Sequence, residues 1–113
     1  DPVVNNSNAT AIRVAGENNT VKGVRLNDIN GTGIEIAGAD NIIEDAKLDN
    51  ITGTGVSIDE TAKNNELTGI NVTNSTGNAV NVEAENANVD KVVLFSKNLL
   101  KSIYPSLHYY THI

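Results

Sequence analysis

Four sets of side chains in this chain have the type and spacing to do chemistry. Arg13 and Glu35 stand 22 positions apart, as do Arg25 and Lys47; Asp59 and Glu83 are 24 apart, and His108 precedes His112 by four. Cutting a glycosidic bond takes two carboxylates, about 5–5.5 Å apart for retention or about 6.5–9.5 Å for inversion. At its own spacing Glu35 meets Arg13, Ser57 and Asn81 but no acid. Arg13 beside it favours the ionised carboxylate, the wrong form for a general acid. That pair reads as a solvated ion pair on a surface. Arg25 and Lys47, followed 24 positions on by Asn71, make a cationic row suited to an anionic sugar. Asp59 and Glu83 form a weak calcium candidate, because a cation would relieve two like charges held close. His108 and His112, with no carboxylate after Asp90, make neither a zinc set nor a catalytic triad.

These spacings bring residues together only if the chain repeats, and it does. In rows of 22, Ile12 and Val14 fall over Ile34 and Ile36, then Val56 and Ile58, then Val80 and Val82. A second set aligns Val21, Val24 and Leu26 with Ile43, Ala46 and Leu48, then Leu67, Ile70 and Val72, then Val89, Val92 and Leu94. One step of this set is 24 residues, the extra two lying in the polar stretch from Asp59 to Asn64. Within rows the pattern alternates, as in AIRVA, GIEIA and AVNVE, which is the period of a strand. Stacked parallel strands lie about 4.8 Å apart, so equivalent columns form ladders of like side chains. The turn columns agree: Asn6, Asp28, Asn50 and Asn74; Asn18, Asp40, Asn64 and Asn86; Asn19, Asn41 and Asn65. The glycine corners NGTG and TGTG are expected to supply positive φ between strands.

This pattern resembles the right-handed parallel β-helix, the superfamily of pectate lyases, polygalacturonases, phage tailspikes and many bacterial surface passenger domains. The resemblance covers residues 3–94 and rests on the 22–24-residue coil, the NTVKGVRLND type of strand and the asparagine columns. A leucine-rich repeat wants a buried Leu after its Asn, which LTGINVTNST lacks, and hexapeptide helices need about 18 residues per coil. The expectation is an all-β solenoid of about four coils over residues 1–94, the first incomplete. Residues 95–113 hold the only Phe, all three Tyr and both His. They are read as a cap or tail, with Ser96 starting a short helix that lays Leu99, Leu100 and Ile103 over the open end. A non-native tail and an intermolecular contact are the other readings.

Composition narrows the function. With no Cys there is neither a disulfide framework nor a thiolate metal site. Residues 1–90 hold 14 acids against five bases, which is −9; residues 91–113 hold three Lys and no acid, which is +3. An acidic body excludes nucleic acid as a partner, and no apolar run is long enough to span a bilayer. The seven N-x-S/T sequons follow from filling turns with Asn and Thr.

The resemblance implies a non-enzymatic segment of a secreted or cell-surface protein, a scaffold for adhesion or for binding polysaccharide or a host surface protein. Arg25, Lys47, Asn71, Arg13 and Glu35 are its candidate binding residues, and it needs no cofactor. Open coils leave end-to-end or side-by-side self-association available. The alternatives it implies are the non-catalytic coils of a polysaccharide lyase, hydrolase or epimerase, or a tailspike segment. A pectate-lyase site would also need a calcium-holding acid cluster, and none surrounds Arg25 and Lys47.

Overall fold

The computed structural model describes residues 3–5, 8–84, 87–90, 93–95 and 98–102, with side chains described over 8–84 and 87–89. The chain enters on β1 (Val3–Asn5), then repeats a three-strand coil. The first coil is β2 (Ile12–Val14), β3 (Thr20–Lys22) and β4 (Arg25–Ile29); the second is β5 (Ile34–Ile36), β6 (Ile42–Glu44) and β7 (Lys47–Ile51). The third is β8 (Val56–Ile58), β9 (Glu66–Thr68) and β10 (Asn71–Ser75). β11 (Asn78–Val82), β12 (Asn88–Asp90) and β13 (Val93–Phe95) follow, and then β14 (Asn98–Ser102). Three coils are therefore complete in side-chain detail, where about four were expected. No helix occurs among the described residues, so none is long and apolar enough to cross a membrane.

All pairing is parallel and runs from coil to coil. Sheet A stacks β1-β4-β7-β10-β13, sheet B stacks β2-β5-β8-β11-β14, and sheet C stacks β3-β6-β9-β12. Registers match the aligned columns. Ile12 pairs with Ile34, Ile34 with Val56 and Val56 with Val80. In sheet A, Leu26, Leu48 and Val72 are successive partners, and in sheet C Val21, Ile43, Leu67 and Val89. From the second coil onward these side chains are fully buried, and they form one aliphatic core. Each buried Leu or Ile contributes about 2 kcal/mol by leaving water. Sheets wound this tightly leave a thin interior that methyl-bearing side chains fill without aromatic rings.

The last strand departs from expectation. Where a short helix was expected after Ser96, Asn98–Ser102 is a strand paired with β11, Val80 facing Leu100. The step there is 20 residues, two fewer than the 22 from Val72 to Leu94. The backbone thus stays in the ladder, where its N–H and C=O groups find partners, rather than closing the end as a helix. Ile103 and the remainder of the tail lie outside the described residues.

The corners work differently from the glycine rule. Left-handed backbone at the turns is carried by Asp28, Asn50 and Asn74 (φ 56–58°) and by Asn18, Asp40 and Asn64 (φ 59–62°). Short polar side chains tolerate that region best after Gly. Gly33 and Gly55, by contrast, have no positive φ and are needed for space. A Cβ on Gly33 would stand 2.6 Å from the Gly55 carbonyl oxygen, and one on Gly55 2.5 Å from that of Ala79. Gly itself takes positive φ at Gly31 (156°), in the NGTG corner as expected, and at Gly23 and Gly69 (71° and 69°) between sheets C and A, where the second coil has Asp45 (54°) instead.

One polar column enters the core. Asn41 and Asn65 are buried, and each Oδ1 accepts the backbone N–H of the Asn one coil back, at 2.8 Å. Their Nδ2 groups donate to the carbonyls of Gly16 and Gly38. The amides thereby satisfy turn backbone that has no ladder partner. Asn41→Ala should leave the Asn19 N–H and the Gly16 carbonyl unpaired, lowering stability by about 2 kcal/mol in urea unfolding. An unchanged midpoint would show that the buried amide ladder does not hold the turns.

Candidate functional site

Stacking positions the charged residues. In sheet B the outward column reads Arg13, Glu35, Ser57, Asn81, one residue per coil. In sheet A it reads Arg25, Lys47, Asn71, and Val93 is next in backbone register. The two columns belong to different sheets, so the five candidate binding residues make two separate rows rather than one site.

The sheet B row is largely self-neutralised. Arg13 Nε lies 3.7 Å from Glu35 Oε1, with the arginine side chain 57% exposed. Exposed pairs of this kind contribute little. Asp59 joins them out of column: it follows β8 and shares a side-chain hydrogen bond with Glu35 of the coil before. The single-column reading missed this neighbour, because residues two apart on a strand face the same side and reach diagonally across to the next rung.

Asp59 and Glu83 follow registered residues, Ile58 and Val82, as their spacing implies. Among the described residues no group of three or more His, Cys, Asp or Glu side chains is placed to hold a metal ion. His108 and His112 lie outside the described residues.

The sheet A row offers more. Arg25 and Lys47 are exposed and adjacent in register, and neither joins an ion pair among the described residues. They line two adjoining hollows. One, of about 440 Å³, is bounded by Lys22, Gly23, Val24 and Asp45 as well; the other, of about 330 Å³, by Asn27, Leu48, Asp49 and Thr73. The first hollow lies at the corner between sheets C and A. There Gly69 leaves room for the Asp45 carboxylate, 2.7 Å from where a Cβ would sit. Lys22 is engaged at 3.9 Å with Glu44. Next in the row Asn71 is half-buried, and its Oδ1 is shut away from solvent with no hydrogen-bond partner. The face is thus a grid of Arg, Lys, Asn, Asp and Thr around two uncommitted cations. It can bind an anionic, hydrogen-bonding ligand.

Three stacked parallel sheets wound from a 20–24-residue coil define a parallel β-solenoid. The chain belongs to the right handed beta helix family, whose model matches residues 10–105. Neither a search of curated proteins nor one of solved structures gave a match.

The pair at Asp59 has a pH signature. Burial is the first cause that raises the Asp59 pKa above the ordinary aspartate value. The Glu35 charge adds to it, Arg13 opposes, and Glu83 and the hydrogen bond with Glu35 add further. The folded chain therefore binds this proton more tightly than the unfolded chain. Between the ordinary and the raised value, stability falls as pH rises. Asp59→Asn should stabilise the protein at neutral pH and flatten that fall, read from urea midpoints at a series of pH values. A variant less stable at neutral pH would mean that the charged form of Asp59 is favoured by its surroundings.

Proposed function

We propose that this chain is a non-enzymatic scaffold segment of a secreted or cell-surface protein, and that its sheet A face binds acidic polysaccharide. The observation that carries the reading is the stacked pair Arg25 and Lys47, uncommitted to any acid and open over adjoining hollows. Cations one coil apart suit a polymer that repeats its carboxylates, because successive acid groups can meet successive rungs. The surrounding Asn27, Asp49 and Thr73 supply hydrogen-bonding groups to hydroxyls. A protein partner would be expected to find exposed aromatic or aliphatic anchors on this face. The side chains lining it are polar or charged except for Val24 and Leu48, both buried.

Binding through two exposed cations is screened by salt. On an array of uronate-containing and neutral glycans, saturable binding to the acidic members is expected, weakening as salt is added. Arg25→Ala with Lys47→Ala should lower that affinity roughly tenfold without altering the unfolding midpoint. Binding left intact in the double variant would remove this face from the function, and binding to neutral glycans alone would reject the acidic ligand.

A further inference from the structure

Stacking makes the coils comparable position by position, and at one corner the comparison breaks. Between sheets C and A the chain turns left-handed at Gly23 (φ 71°), Asp45 (φ 54°) and Gly69 (φ 69°). The positions are equivalent. The Gly23 N–H donates to the Glu44 carbonyl and the Asp45 N–H to that of Thr68, which is the same bond one coil on. Gly takes left-handed backbone with no Cβ to clash, whereas an Asp there has to be accommodated. Its accommodation is visible at Gly69: Asp45 Oδ1 lies 2.7 Å from where a Cβ would stand, in space left open by the missing side chain.

The charge is as conspicuous as the backbone. The hollow of about 440 Å³ at this corner is lined by Lys22, Arg25 and Lys47, and Asp45 is the one acid among its lining residues. Asp45 is exposed and joins no ion pair among the described residues, while Lys22 is drawn to Glu44. An acid standing beside cations without pairing to them weakens their pull on any anion. A surface that only had to hold negative charge would be served better by Gly, the residue both neighbouring coils use. A local rule broken with no packing gain points to a functional position.

We propose that Asp45 is the specificity residue of this hollow: it accepts hydrogen bonds from sugar hydroxyls, so the face selects uronate polymers over sulfated ones. The inference rests on the acidic-polysaccharide reading of the sheet A face and narrows it. An ionised carboxylate can only accept hydrogen bonds, so it favours a ligand that carries donors close to its own negative charge. A uronate sugar does, because carboxylate and free hydroxyls belong to one ring. The carboxylate meets Arg25 or Lys47, and a hydroxyl donates to Asp45. A sulfate ester replaces a hydroxyl with oxygens that only accept, and its charge stands against that of Asp45. Attraction to the cations is common to both ligands, and the acid tells them apart.

Two substitutions test this, read as affinities for polygalacturonate and for dextran sulfate at one ionic strength. Asp45→Gly gives the second coil the corner its neighbours already have, and Asp45→Asn keeps the shape while removing the charge. The unsubstituted chain should prefer polygalacturonate. Asp45→Gly should cut the ratio of the two affinities roughly tenfold, weakening the uronate polymer and strengthening the sulfated one. Asp45→Asn should strengthen dextran sulfate binding. A ratio unchanged in both variants, or an unsubstituted chain that prefers dextran sulfate, would overturn the role of Asp45 and leave acidic binding through Arg25 and Lys47 standing. Arg25→Ala with Lys47→Ala, run in the same assay, should weaken both polymers. Acidic binding that survives that double variant, or no binding of either polymer by the unsubstituted chain, would remove the face and this inference with it.

Discussion

Everything in this molecule depends on one coil lying in register on the next. A parallel ladder fixes which residue faces which, and a repeat of about 22 residues places an aliphatic side chain over another at Ile12, Ile34, Val56 and Val80. Backbone hydrogen bonds and apolar burial are satisfied by the same geometry, so neither can slip without the other. A one-residue shift would turn each buried column outward and each charged column into the core. The hydrophobic side chains buried among the described residues are all Val, Ile, Leu or Ala.

The same constraint dictates the corners. Backbones of successive coils approach so closely at Gly33 and Gly55 that no Cβ fits, while the left-handed turns fall to Asn and Asp. Those side chains then stack as well. At Asn50 the amide donates to Asp28 at 2.7 Å on the surface, and at Asn41 and Asn65 the amides are swallowed by the core. Buried Ser75, under Ile51 in the ladder, is satisfied through the Gly77 carbonyl. The buried polar residues Asn41, Asn65 and Ser75 are tolerated because each has a partner within its own corner or one coil away.

Surface chemistry is a consequence of stacking too. Any charge on an outward position meets whatever the next coil places above it, which is why Arg13 finds Glu35 and why Arg25 is left with Lys47. Opposite charges cancel into a quiet surface, and like charges remain available to a ligand. The columns were legible because they require only the period. The Asp59–Glu35 contact was not, because it runs diagonally from a residue beyond a strand end to the coil before it. Nor was β14, whose coil is two residues short, so that Leu100 falls out of line with Val80 in rows of 22.

The amino-acid sequence alone determined the period, the buried ladder, the positions of the turns and the order of the outward columns, since each follows from spacing along one chain. Tertiary structure decided the matters that depend on distance rather than order. It showed that Gly33 is there for closeness and not for φ, and that Asp59 leans onto Glu35. It also showed that the two candidate rows lie on separate sheets, and that the last described strand stays in the ladder. Side-chain reach and backbone approach act across coils in three dimensions, and a one-dimensional repeat records only which coil is next.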